Sequence, residues 1–225
     1  MNQRLTWFDH SFLVIGLLTQ VVAYIWMPGH IISLVSGLLG ICSVILGSQG
    51  NILTFLFGFG QIITYTYLCY VVGCYGGIAL NIFYFLSQIY GIYIWHKRIV
   101  LIGKTSNLQE EVQTALPTRR LETKTLAFIT LLSILVSLLV GYLLKHYTND
   151  TQPYLDAFTT IPAIVAQVLM VLAYREQWYL WLAIDLIYVG MWLQAGNYCM
   201  VMQYAFWCIN CIYGYWKWTK LSETH

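Results

Sequence analysis

Apolar residues gather in eight runs, each about 16 to 20 residues long and closed by turn-forming or charged residues. The runs are Ser11–Met27, Ile31–Leu46, Ile52–Tyr70, Ile78–Trp95, Thr125–Leu144, Phe158–Tyr174, Trp178–Leu193 and Tyr198–Trp216. Each has the length of a helix that crosses a hydrocarbon layer. The linkers MPGH, SQGN, VVGCYGG and QAGN are very short, so the helices they join must run antiparallel. One long polar segment, His96–Lys124, interrupts the series. Its stretch QEEVQTAL reads either as a short amphipathic surface helix or as a solvated linker.

Composition agrees with the pattern. The 225 residues are 59% hydrophobic, 16% aromatic and 9% charged. A soluble domain carries about 25% charged residues, so this chain cannot clothe a water-facing surface. Positive residues then orient the spans. With the N-terminus inside, the inner side holds Arg4, Lys97, Arg98, Lys104, Arg119, Arg120, Lys124, Arg175, Lys217 and Lys220, and the outer side only Lys145. That bias places both termini in the cytoplasm. The first run lacks a small-residue cleavage site, so no cleaved signal peptide is expected. A net charge of +2 with no basic patch argues against nucleic acid as a partner. Six cysteines are scattered, and the CxxC of Cys208 and Cys211 lies in an apolar run, where packing explains it better than redox chemistry.

Two segments resemble each other. NIFYFLSQIYGIYIW (Asn81–Trp95) and QYAFWCINCIYGYWKW (Gln203–Trp218) share IYG, then a tyrosine and a tryptophan, then lysine. Each also carries two carboxamides seven residues apart, Asn81/Gln88 and Gln203/Asn210, and so on one helix face. The carboxamides align at an offset of 122 and the Tyr-Gly pairs at 123. Phe57/Gln61 and Trp181/Asp185 are a looser match on the preceding helices. The pattern is three spans, one linking span and three spans, with an extra helix in front. The single linking span lets both three-helix units point the same way, as in transporters whose substrate site lies between parallel repeats.

Asp185 sits in the middle of YLWLAIDLIYVGMWL. An isolated acid there costs about 2.5–3.5 kcal/mol on insertion scales, so it must face the bundle interior or a watery cavity. The histidines are His10, His30, His96, His146 and His225, all at span ends or in loops, and no Lys or Arg is mid-span. Asp185 is therefore protonated, or bonded to a neighbouring helix, or paired with a cationic substrate. Trp181, one turn before it, and Tyr188, near one turn after it, suit a flat cation. Gln61, Asn81, Gln88, Gln203 and Asn210 suit hydroxyls such as those of a sugar, or serve as interhelical glue. Tyr84 and Phe85 lie between Asn81 and Gln88, placed to stack on a ring or to fill the core. Gln167 and Gln20 are weaker candidates. Haem-ligating histidines, zinc motifs, phosphate loops and nucleophile–base arrangements are missing from the sequence, so neither a cofactor nor a metal is expected.

NIFYFLSQIYGIYIW, WLAID and the closing IYGYWKWTK resemble the PnuC transporters of bacterial inner membranes, in that order and spacing. The resemblance implies an all-α integral membrane fold of the SWEET type. It would hold an N-terminal helix at 1–30, a first three-helix bundle at 31–95, a loop and linking helix at 96–157, and a second bundle with the tail at 158–225. It implies uptake of nicotinamide riboside by facilitated diffusion, with trapping by intracellular phosphorylation; thiamine, another flat cation, is the alternative substrate. Carried onto matching positions, the binding residues are Gln61, Asn81, Gln88, Trp181, Asp185 and Asn210, with Tyr84, Tyr188 and Trp207 beside them. The expected partners are the small-molecule substrate, the bilayer and further copies of the chain, a trimer among the options. The rival class is a membrane enzyme or assembly factor, with Asp185 and the carboxamides in catalytic or structural roles.

Overall fold

The computed structural model describes residues 7–26, 31–72, 75–105, 118–149, 152–194 and 198–223. Within them lie eight α-helices: α1 (Trp7–Trp26), α2 (Ile31–Ser48), α3 (Leu53–Val72), α4 (Tyr75–Thr105), α5 (Thr123–Tyr147), α6 (Pro153–Val171), α7 (Gln177–Gln194) and α8 (Tyr198–Glu223). All eight expected runs are helical. A helix satisfies its own backbone polar groups, which lipid cannot do. α1, α2, α5 and α6 are long and apolar enough to cross a bilayer by composition alone. Leu53–Leu68 of α3 is a shorter apolar stretch, and α4, α7 and α8 are rich in tyrosine, tryptophan and carboxamide residues. Large apolar side chains face outward, among them Phe128, Leu131, Leu135 and Leu139 on α5. The chain is a membrane protein.

Helix ends differ from the apolar runs. α4 continues from Trp95 to Thr105, and α8 passes Trp216 to reach Glu223. α6 begins at Pro153, five residues before its run, with proline in its first turn, where the missing N–H costs nothing. Hydropathy reports the thickness of the hydrocarbon, and a helix does not stop there. The linker MPGH, the stretch QEEVQTAL and parts of VVGCYGG and QAGN lie outside the described residues.

Consecutive helices α2, α3 and α4 pack in series, and so do α6, α7 and α8. Two contacts cross between these sets, α2 with α8 and α4 with α6. Exchanging α2 for α6 and α4 for α8 turns one contact into the other. Among the described residues α5 rests on α6 alone, while α1 touches α2 and α8.

The atomic detail obeys that exchange at one offset. α2 ends at Ser48 and α6 at Val171, 123 residues apart. Gly50 and Ala173 both take positive φ, 66° and 61°. The Asn51 amide donates to Leu46 O and the Tyr174 amide to Leu169 O, again 123 apart. A Cβ on Gly91 would meet the Phe55 ring, and one on Gly214 the Trp178 ring. Trp95 Nε1 donates to Met170 O at 3.3 Å, and Trp218 Nε1 to Gly47 O at 2.9 Å. Every pair keeps the spacing of 123. The carboxamide alignment at 122 is therefore not the structural one: Asn210 stands opposite Ser87, and Gln203 opposite Leu80. Likewise Asp185 stands opposite Ile62, not Gln61.

The core has two parts. Phe55, Trp95, Trp178 and Trp218, with Cys211, form a buried cluster where α2 and α6 end. Phe12, Ile41 and Ile45 join α1 to α2, with Phe206 of α8 packed against them. Ser43 and Thr54 staple α2 to α3, each hydroxyl donating to the other's carbonyl at 2.8 Å. Such polar links between helices serve well where apolar packing gains little over lipid.

Candidate substrate site

Asp185 is 5% exposed and faces α8, not lipid. The Cys211 thiol donates to its Oδ2 at 3.5 Å. That thiol is a weak donor and carries no charge to balance an ionised carboxylate. Cys211 escaped the sequence reading, which saw packing alone; its signal is the repeat, since it stands opposite Gln88. Gln88 itself is buried, packs its amide on Gly58 of α3, and leaves Oε1 without a protein partner. Opposite Gly58 stands Trp181. One repeat thus fills this level with Gly58 and Gln88, the other with Trp181 and Cys211.

A second asymmetry lies one residue earlier on α4 and α8. Gln167 of α6 donates through Nε2 to Ser87 Oγ at 2.9 Å, joining the two halves. The counterparts of Gln167 and Ser87 are Val44 and Asn210. Valine offers no polar atom, and Asn210, 0% exposed, has neither Nδ2 nor Oδ1 bonded to protein. Asn81 is also buried, with Nδ2 unpartnered. A buried amide without a partner costs about 1–3 kcal/mol, which makes these groups candidates for contact with a solute.

Aromatic side chains connect the halves. Tyr84 of α4 lies near Tyr65 of α3 and Tyr188 of α7, and Tyr188 lies near Thr159 of α6. Tyr65 and Tyr188 are repeat counterparts. Tyr188 stacks on Tyr204 at 4.7 Å, and Tyr204 meets Trp207 edge-on at 5.1 Å. Tyr188 and Trp207 therefore belong to one aromatic path through Tyr204, a member the sequence reading lacked, and Tyr84 lies beside it.

Gln61 turns its stem toward Gly40 on α2. Trp181 is half-buried against the Phe55–Trp218 cluster. Gln203 and Trp207 border a narrow cleft of ≈ 10 Å³ facing Gly16, Thr19 and Gln20 of α1, room for about one water. Trp207 Nε1 has no partner there. Among the described residues no group of His, Cys, Asp or Glu is placed to hold a metal.

Residues 30–220 match the family model described as nicotinamide mononucleotide transporter. A relative from Neisseria mucosa named nicotinamide riboside transporter PnuC is 30% identical, over 98% of this chain and 84% of its own. One of the same name from Haemophilus influenzae is 28% identical over 96% of this chain and 91% of its own. The crystal structure of the vitamin B3 transporter PnuC superposes with a TM-score of 0.79 at 29% identity, covering 98% of this chain and 94% of that one. A helical membrane chain matched by this family's model along most of its length, and by its curated members, is no enzyme: it belongs to the nicotinamide mononucleotide transporter family, among the PnuC transporters.

Proposed function

We propose that the chain carries nicotinamide riboside across the bacterial inner membrane, with both termini cytoplasmic and the solute chemically unchanged. The observation that carries this reading is Asp185, a buried carboxylate whose protein partner is a thiol. A pyridinium ring supplies the missing positive charge, and aromatic faces such as Trp181 and the Tyr188–Trp207 path attract such a ring. The unpartnered amides of Asn81, Gln88 and Asn210 suit ribose hydroxyls. A 5′-phosphate fits poorly, because the sequence has no mid-span Lys, Arg or His to meet it and Asp185 repels it. The riboside named for the relatives thus suits this chain better than the mononucleotide of the family's description.

Two bundles, α2–α4 and α6–α8, joined by α5 and flanked by α1, alternate their opening around the site. The seams α2–α8 and α4–α6 and the constant offset of 123 support this division. Transport is facilitated diffusion, and phosphorylation by a separate kinase traps the product. In kinase-free proteoliposomes, labelled nicotinamide riboside should equilibrate, and a proton ionophore should change nothing. Accumulation that collapses with the ionophore would overturn diffusion; thiamine outcompeting the riboside would reassign the substrate.

A further inference from the structure

Four aromatic side chains form two counterpart pairs in the buried cluster: Trp95 with Trp218, and Phe55 with Trp178. Both members of the first pair hydrogen-bond across the repeats. Trp95 of α4 reaches Met170 O at the end of α6, and Trp218 of α8 reaches Gly47 O at the end of α2. Each carbonyl also accepts an amide of its own turn, Ala173 or Gly50, so the indole occupies a remaining lone pair. The second pair makes no such bond: Trp178 Nε1 is buried without a partner, and its counterpart is phenylalanine. Where the N–H is bonded both repeats carry tryptophan; where it is not, one does without it. The indoles of Trp95 and Trp218 are both 0% exposed and meet edge-on at 5.9 Å.

We propose that Trp95 and Trp218 form a reciprocal latch closing the route between the two repeats at the end where α2 and α6 finish. Neither repeat can move from the other at that end without breaking both bonds, because each donates one and accepts one. Cys211, 3% exposed and packed in the same cluster, carries the thiol that contacts Asp185, so the latch lies directly over the site. The assignment rests on the transport reading above, which makes this end cytoplasmic.

The test uses the full chain in proteoliposomes of known orientation. An impermeant thiol reagent is added from the latch side, and modification of Cys211 is followed by peptide mass spectrometry. Trp95→Phe and Trp218→Phe each remove a cross-repeat hydrogen bond and should raise the modification rate about two- to tenfold. Trp178→Phe removes the same atoms without a bond, and should leave the rate near that of the unaltered chain. An equal rise in all three variants would mean general loosening and overturn the latch. So would an unchanged rate in Trp95→Phe and Trp218→Phe, or a rise equal from both sides of the membrane. Binding of nicotinamide riboside is measured on the same samples: its absence in the unaltered chain would sink the transport reading, while the thiol rates still decide whether the bonds seal this end.

Discussion

Lys217 of α8 holds Asp9 of α1, Nζ to Oδ2, at 3.1 Å, with Asp9 1% exposed. Tyr213, one turn before Lys217, donates its hydroxyl to the other carboxylate oxygen. Phe12 continues the contact, stacked on Phe206 at 4.6 Å. The extra helix is thus bonded to the last one, at a point where a lone charge would be costly. Asp9→Ala strands Lys217 and should destabilise the protein by about 3–5 kcal/mol. Thermal unfolding in detergent measures it, and an unchanged midpoint would mean that α1 merely leans on the bundle.

Asp185→Asn keeps the shape of the side chain and removes its ability to ionise. Affinity for nicotinamide riboside should fall by at least about tenfold, equivalent to ~1.4 kcal/mol, while a neutral riboside analogue should lose little. Tryptophan-fluorescence titration gives both constants. Equal losses for the two ligands would reduce Asp185 to a packing residue bonded to Cys211.

Asn210→Leu should separate stability from binding. It replaces two unpartnered polar atoms with methyl groups in a fully buried position. The ligand-free protein should gain about 1–3 kcal/mol, the desolvation cost that the amide carries, and ligand affinity should drop. A variant that is destabilised, or that binds normally, would show that Asn210 finds its partner elsewhere.

Gly91→Ala and Gly214→Ala test the repeat itself. The added methyl would lie 2.5 Å from the Phe55 ring in one case and 2.6 Å from the Trp178 ring in the other. Both should cost about 1–3 kcal/mol through overpacking, and by similar amounts. Strongly unequal melting shifts would break the equivalence of α3–α4 with α7–α8.

The eight helices were legible because a bilayer imposes one length on every crossing. Their ends were not: the charged Lys97 and Arg98 close the apolar run but continue α4. The repeat was visible in IYG, yet its register was ambiguous, because Gln203 and Asn210 imitate Asn81 and Gln88 one position out of step. Backbone geometry decides it at Gly50 and Ala173. Asp185 was legible as an inward-facing acid, since lipid makes such a residue conspicuous. Its contact with Cys211 was hidden, because a cysteine in an apolar run looks like filler. The candidate residues Asp185, Cys211 and Asn210 stand where the repeats differ, and similarity between repeats cannot reveal those.

The two positive-φ turns are not equal. Glycine takes φ 66° freely, whereas alanine at 61° pushes its methyl toward backbone at a cost of roughly 1–2 kcal/mol. Ala173 is held from outside as well: Arg119 donates its amide to Ala173 O at 2.7 Å and accepts that of Arg175 at 3.0 Å. One elbow is therefore relaxed and the other is splinted, like a spring kept loaded by a clip. If the halves of the molecule ever rock unevenly, the lopsided compliance of these two bends supplies a mechanical reason.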